Sequence, residues 1–184
     1  MITTNELKNG YVLNLDGDLV TVVSFQHVKP GKGNAFVRTK LKNLGSGAVV
    51  ERTFRAGEKV ERVITESRTM QFLYPDGDQL VLMDSESYEQ LSVAAGDIAN
   101  VDLLAPNTEV QALLIEGSPF RVELPNFVEL AVVKTDPGVK GDTVSNVTKP
   151  AELETGASVS VPLFVNEGDV LRIDTRSREY VTRA

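Results

Sequence analysis

From Tyr11 onward the chain is a succession of short apolar–polar alternations, each closed by Gly, Pro, Asn or Asp before it reaches helix length. This rhythm is the strongest constraint on the fold. Alternation with a period of two puts apolar side chains on one face of a strand and cannot build the stripe that a helix needs. Residues 11–15 and 19–25 flank Asp16-Gly17-Asp18, and 70–74 and 79–83 flank Pro75-Asp76-Gly77-Asp78. A third pair, 110–115 and 120–124, brackets Glu116-Gly117-Ser118-Pro119. All three read as hairpins, because their turns are rich in residues that tolerate positive φ. Further strands are expected over 35–41, 48–54, 128–133, 157–161, 170–174 and 179–181. The one helical expectation is a single turn over 84–91, with Asp84, Glu86 and Glu89 at its acidic start. The fold class is therefore all-β.

Three units follow from the composition shifts, 1–64, 65–126 and 127–184. The first carries ten Lys/Arg and six Asp/Glu, net +4; the second two and eleven, net −9; the third seven and nine, net −2. Strand-rich units of this size suggest small closed barrels, an SH3-like one first and oligonucleotide-binding barrels for the other two. Each would be marginal alone, so packing between units is expected. The overall charge of −7 argues against nucleic acid, but the basic head argues for a polyanion facing it, with the acidic middle keeping the molecule soluble.

The inventory also excludes chemistry. With no cysteine and one histidine, His27, disulfides, thiolate sites and histidine-rich metal centres fall away. No Ser/His/Asp set assembles around a lone histidine; His27 is expected to pack at the base of a loop. Asp16/Asp18 and Asp76/Asp78 lack the spaced ligands of a calcium loop and read as turns. No metal or cofactor is expected. No apolar run approaches the roughly 18 residues of a membrane span, and the opening residues lack the pattern of a signal peptide. A cytoplasmic, monomeric, non-enzymatic protein is the expectation.

The most informative segment is Lys29-Pro30-Gly31-Lys32-Gly33-Asn34-Ala35. Proline and two glycines around one lysine between two strands make a slim, protruding hairpin, since glycine removes side-chain bulk and permits positive φ. Its tip is an ammonium on a flexible stem. The glycines are not a phosphate-binding loop, because the Gly-Lys-Ser/Thr step and following helix are missing. Arg38, Lys40 and Lys42 continue from the loop as a basic stripe on the solvent face of the next strand, a candidate polyanion surface.

Residues 29–38 and 53–60 (Thr53-Phe54-Arg55-Ala56-Gly57-Glu58-Lys59-Val60) resemble the elongation factor P family of bacteria. So do Phe72-Leu73-Tyr74-Pro75-Asp76-Gly77, Met83-Asp84 and Tyr88-Glu89-Gln90 in the middle unit. Asp136-Pro137-Gly138-Val139-Lys140-Gly141-Asp142-Thr143, Lys149-Pro150-Ala151, Leu153-Glu154-Thr155-Gly156-Ala157 and Val161-Pro162-Leu163-Phe164-Val165 extend the resemblance to the whole chain, in order. It implies three β-barrels in an L, an SH3/KOW-like head and two OB-fold barrels. It further implies binding to both ribosomal subunits between the peptidyl and exit sites, beside peptidyl-tRNA. The implied activity is promotion of peptide-bond formation at consecutive prolines. Lys32 matches the tip position, which many members carry as a modified lysine, so a lysine-modifying enzyme is a further implied partner. For the stripe of Arg38, Lys40 and Lys42 the resemblance implies tRNA and rRNA as the polyanion. Gly141, Asp142 and Thr143 match a loop facing the small subunit, and Arg176, Tyr180 and Arg183 are candidate ribosome contacts of the third unit.

Two other readings stay open: a paralogue with a narrower role, and a generic RNA-binding β-barrel protein. The generic reading expects exposed aromatics on the head strands to stack bases. Tyr11, Phe25, Phe36 and Phe54 instead read as core.

Overall fold

The computed structural model describes residues 1–138 and 147–184. Among them there is no α-helix, only strands and three short 3₁₀ turns. None of the helical segments is long and apolar enough to cross a membrane. Contacts divide the chain into two compact units, Met1–Glu66 with Ile115–Ser118, and Ser67–Leu114 with Pro119–Ala184.

The head sheet contains β1 (Ile2–Thr3), β2 (Val12–Leu15), β3 (Asp18–Val28), β4 (Phe36–Asn43), β5 (Val49–Arg55) and β6 (Lys59–Val63), in the order β1-β6-β2-β3-β4-β5. β2 and β3 meet across Asp16-Gly17, both at positive φ as a tight primed turn requires. Leu7, Leu13, Val20, Val22, Val37, Leu41, Phe54 and Val60 form the core. Buried Thr4 draws the two ends of the sheet together. Its hydroxyl donates to the Arg55 carbonyl (2.9 Å) and accepts from the Gly57 amide (3.0 Å), while its own amide donates to Glu58 O (2.8 Å). Between Val22 and Ser24 the register against β4 slips, leaving Val23 as a bulge on a long strand. A bulge there sharpens the twist of the β3–β4 ribbon that carries the loop.

The second unit holds two sheets of the same plan. One has β7 (Thr65–Asp76), β8 (Gln79–Asp84), β9 (Gln90–Ala94), β10 (Glu109–Ile115) and β11 (Ser118–Glu123), in the order β11-β10-β7-β8-β9. The other has β12 (Phe127–Thr135), β13 (Thr148–Leu153), β14 (Ser158–Pro162), β15 (Val170–Asp174) and β16 (Glu179–Arg183), in the order β14-β13-β12-β15-β16. In both, the first strand is central between the second and fourth, and the third and fifth are outermost. This is the connectivity of an oligonucleotide-binding barrel. In the second of these sheets the two outermost strands, β14 and β16, also approach each other.

The two cores touch. Leu103, wholly buried, belongs to the C-terminal core although it precedes β10, and Leu124 packs against both cores. Around this apolar junction, Arg178 forks onto Asp102 with two bonds of 2.6 Å and also donates to Asn100 Oδ1 at 3.2 Å. Asn100 Nδ2 in turn donates to Thr175 O at 2.7 Å. Hydrogen-bonding with Arg178 lowers the Asp102 pKa.

The expected helical turn over 84–91 is a hairpin connection instead. Asp84 ends β8, its amide donates to Glu89 O (2.8 Å), and its carboxylate accepts from the amides of Glu86 (2.8 Å) and Ser87 (3.0 Å). Tyr88 then leaves the turn at φ +61°. A side-chain carboxylate offered to nearby amides competes with helix formation, and the flanking strands decide the contest.

Candidate nucleic-acid interface

The loop 29–35 joins β3 to β4, whose last registered pairs are His27↔Val37 and Val28↔Phe36. Lys29, Pro30, Gly31, Lys32, Gly33 and Asn34 are all exposed. Gly33 holds φ +104°, a conformation that a Cβ would strain. A Cβ on Gly31 would meet nothing within 4 Å, and one on Gly33 only Pro30 Cγ at 4.0 Å. Lys32 therefore stands on a strip of chain with no side-chain bulk on either side. The base of the loop is fixed: the Ala56 amide donates to Ala35 O at 3.0 Å. His27 is exposed and sets its ring edge-on to Phe25, with centroids 5.6 Å apart and planes at 84°.

β4 separates its two faces cleanly. Val37, Thr39 and Leu41 are buried and Arg38, Lys40 and Lys42 are exposed. The Thr39 hydroxyl satisfies itself on Arg52 O at 2.7 Å, which is why a polar residue survives among the inward positions. The stripe is not uniformly bare. Glu51 lies opposite Lys40 on β5 and its carboxylate comes within 3.9 Å of the ammonium, both side chains being more than half exposed. Such a pair is weak, but its carboxylate formally offsets the lysine's charge at that position. Arg38 and Lys42 make no ion pair among the described residues.

The candidates of the C-terminal barrel lie in different settings. Gly141, Asp142 and Thr143 fall outside the described residues. The described residues on either side of them are tightly held. Buried Lys149 donates from Nζ to the Asp136 carbonyl, and a Cβ on Gly138 would sit 2.5 Å from Leu163 O. Arg176 lies on the β15–β16 turn and forks onto Asp174, Nη2 at 2.8 Å and Nε at 3.2 Å. That fork, with the Arg176 amide, holds the Asp174 carboxyl down at about 2 and raises Arg176. Arg183 approaches Asp169 at 3.6 Å and lies over the Phe164 ring at 5.0 Å. Tyr180 is half-buried and packs against the C-terminal core.

Sequence reading missed the partners of these arginines. Phe127, 38% exposed, carries Arg172 at 4.5 Å and Arg176 at 5.8 Å from its ring centroid. Neither contact is local in the chain, so no spacing rule could have found them. The exposed aromatics, Tyr74, Tyr88, Phe120, Phe127 and Phe164, all fall beyond the head. Of the head's aromatics, Phe54 is buried and Tyr11, Phe25 and Phe36 are half-buried.

A basic head with a slim lysine-tipped loop, followed by two sheets of oligonucleotide-binding connectivity, defines a class of translation factors. A family model described as the elongation factor P KOW-like domain matches residues 3–60. The elongation factor P OB domain matches 65–122, and the elongation factor P C-terminal model matches 128–183. Elongation factor P of Moorella thermoacetica is 55% identical over 185 residues, all of both chains. That of Pelotomaculum thermopropionicum is 53% identical over 184 residues, again all of both. Among solved structures, eukaryotic translation initiation factor 5A from Methanococcus jannaschii matches with a TM-score of 0.50 and 28% identity, over 66% of this chain and 92% of that one. The chain belongs to the elongation factor P family.

Proposed function

We propose that the protein binds the ribosome between the peptidyl and exit sites, beside peptidyl-tRNA, and relieves stalling at consecutive prolines without itself catalysing a reaction. The observation that carries this reading is the loop 29–35: an exposed ammonium at Lys32, flanked by glycines whose surroundings are empty, on a strand whose outer face bears Arg38 and Lys42. Such a loop can enter a narrow RNA-walled space that a bulkier hairpin cannot. The division of labour follows the units 1–64, 65–126 and 127–184: the head addresses the acceptor end of the tRNA, and the C-terminal barrel addresses the small subunit through Gly141, Asp142 and Thr143. The site of action is the cytoplasm.

The mechanism is positioning. Proline is locked in φ, and consecutive prolines hold the peptidyl ester in an unreactive geometry. A loop that steadies the tRNA end raises the fraction of near-attack arrangements, and the Lys32 ammonium adds hydrogen bonds to phosphates or 2′-hydroxyls. A modifying enzyme that lengthens Lys32 would extend that reach, and the side chain is exposed enough to be its substrate. The generic RNA-binding reading gains nothing from the head, whose aromatics are buried or half-buried. The test is reconstituted synthesis of a polyproline peptide with wild-type protein and with Lys32→Ala. The reading requires that wild type accelerate synthesis and that the variant lose most of the effect while melting at the same temperature.

A further inference from the structure

We infer that Phe127, Arg172 and Arg176 form a stacking platform for unpaired RNA bases on the outer face of the C-terminal barrel. The inference rests on the ribosome reading for its natural partner. Phe127 and Arg172 stand on adjacent strands as a diagonal pair two residues out of register, since β12 pairs with β15 through Phe127↔Asp174 and Glu129↔Arg172. Their side chains therefore share the face opposite to the core residues Val128, Leu130, Leu171 and Ile173. Bases stack on aromatic rings and on guanidinium planes alike, and here a ring and two guanidinium groups are assembled at one place.

The turn that carries Arg176 is held from every side. Asp174 accepts from the amides of Arg176 (2.9 Å) and Ser177 (3.4 Å). The Thr175 hydroxyl donates to Pro125 O (2.6 Å) and the Thr175 amide to Asn126 O (2.9 Å), tying the turn to the residues that precede Phe127. Arg178, at φ +62°, is clasped by Asp102 and Asn100. Within this frame Arg176 keeps 64% of its side chain in solvent. Its fork to Asp174 uses Nε and one Nη2 hydrogen, leaving the Nη1 edge for a ligand. A surface fixed before binding loses little conformational entropy on contact. In this barrel the turn is also the connection between the fourth and fifth strands, one of the two loops with which oligonucleotide-binding barrels grip their ligands. Tyr180, the aromatic that sequence reading favours, is engaged with the core, whereas Phe127 offers its ring outward.

The experiment compares Phe127→Leu, Arg172→Gln, their combination and the rescuing variant Phe127→Tyr with wild type. Binding is measured to ribosomes and to a fluorescein-labelled single-stranded oligouridine, each across a salt series, with a thermal melt of every variant. Phe127→Leu should weaken both affinities about tenfold, as loss of one stacked base does, with no change in salt slope. Arg172→Gln should weaken both and lower the log–log salt slope by up to about 0.7. Phe127→Tyr should bind as wild type. Unchanged affinity of the double variant for ribosomes and oligonucleotide overturns the inference. Weaker ribosome binding with unchanged oligonucleotide binding also overturns it, because the platform then meets protein. A wild type that fails on ribosomes but binds oligouridine in a Phe127-dependent way overturns the ribosome reading and leaves the platform standing.

Discussion

In the head, Lys32, Arg38 and Lys42 stand in solvent with no ion pair among the described residues, on a loop and a strand whose one aromatic, Phe36, is half-buried. In the C-terminal barrel, Arg172, Arg176 and Arg183 lie over the exposed rings of Phe127 and Phe164, and two of the three are also braced by aspartates. The difference teaches that net charge and RNA chemistry need not travel together. A bare cation contributes long-range attraction that salt screens, while an aromatic ring beneath guanidinium groups adds a short-range stacking surface whose uncharged share salt leaves nearly intact. On the function and platform proposed above, the unit with net +4 would supply the first and the unit with net −2 the second.

The largest effect that can break this contrast is at the tip. Lys32→Ala should abolish most polyproline synthesis, at least about tenfold, without moving the thermal midpoint, because an exposed turn lysine adds little to stability. Full activity of that variant in the reconstituted assay would remove the head's special role.

The two glycines sharpen it next. Gly33→Val forces a β-branched residue into φ +104° and should cost about 1–3 kcal/mol of local strain, with activity falling further than stability. Gly31→Ala meets open space and should fold as wild type. If Gly31→Ala is also fully active while Gly33→Val is not, backbone geometry matters more than slimness. Activity assays beside thermal melts distinguish the cases.

Smaller effects are expected along the stripe. Neutralising Arg38 or Lys42 should each lower the log–log salt slope of ribosome binding, by about 0.7–0.9 if each meets one phosphate. Lys40→Gln should change it less, since Glu51 already opposes that charge at 3.9 Å. Equal slopes for all three variants and wild type would make the head's charge incidental.

The subtlest test uses acid. Asp174, held at about 2 by Arg176, and Asp84 and Asp102, also lowered, belong to the second unit. A carboxylate lowered in the folded state contributes stability that is complete above its unfolded value, about 3.9. That contribution is lost as the pH falls through the folded value. Between about pH 4 and pH 2 the C-terminal barrel should therefore weaken, and Asp174→Asn should flatten that dependence. Amide protection of Leu171 and Ile173 against that of Val37 and Leu41 reads the two regions separately. In the head, Glu6 is held low by the Thr3 amide and hydroxyl.

Alternation and turn residues alone determined the all-β class, most of the strands and the slim loop around Lys32. Those signals are local: a period of two and a glycine beside a proline mean the same thing in any context. Where a strand broke the local rule it was missed. β13 holds Pro150, which is tolerated because β12 stops pairing at Thr135↔Ala151, just short of it. The Asp84 segment, helical by composition, became a hairpin turn because β8 and β9 paired around it. Tertiary structure alone decided that Glu51 faces Lys40 and that Phe127 collects two arginines. It alone also decided that Tyr180 packs on the core and that Arg178 reaches Asp102, 76 positions away in the chain. Each of these depends on which elements become neighbours, and for the residues on strands a register shift of one would send the side chain to the opposite face.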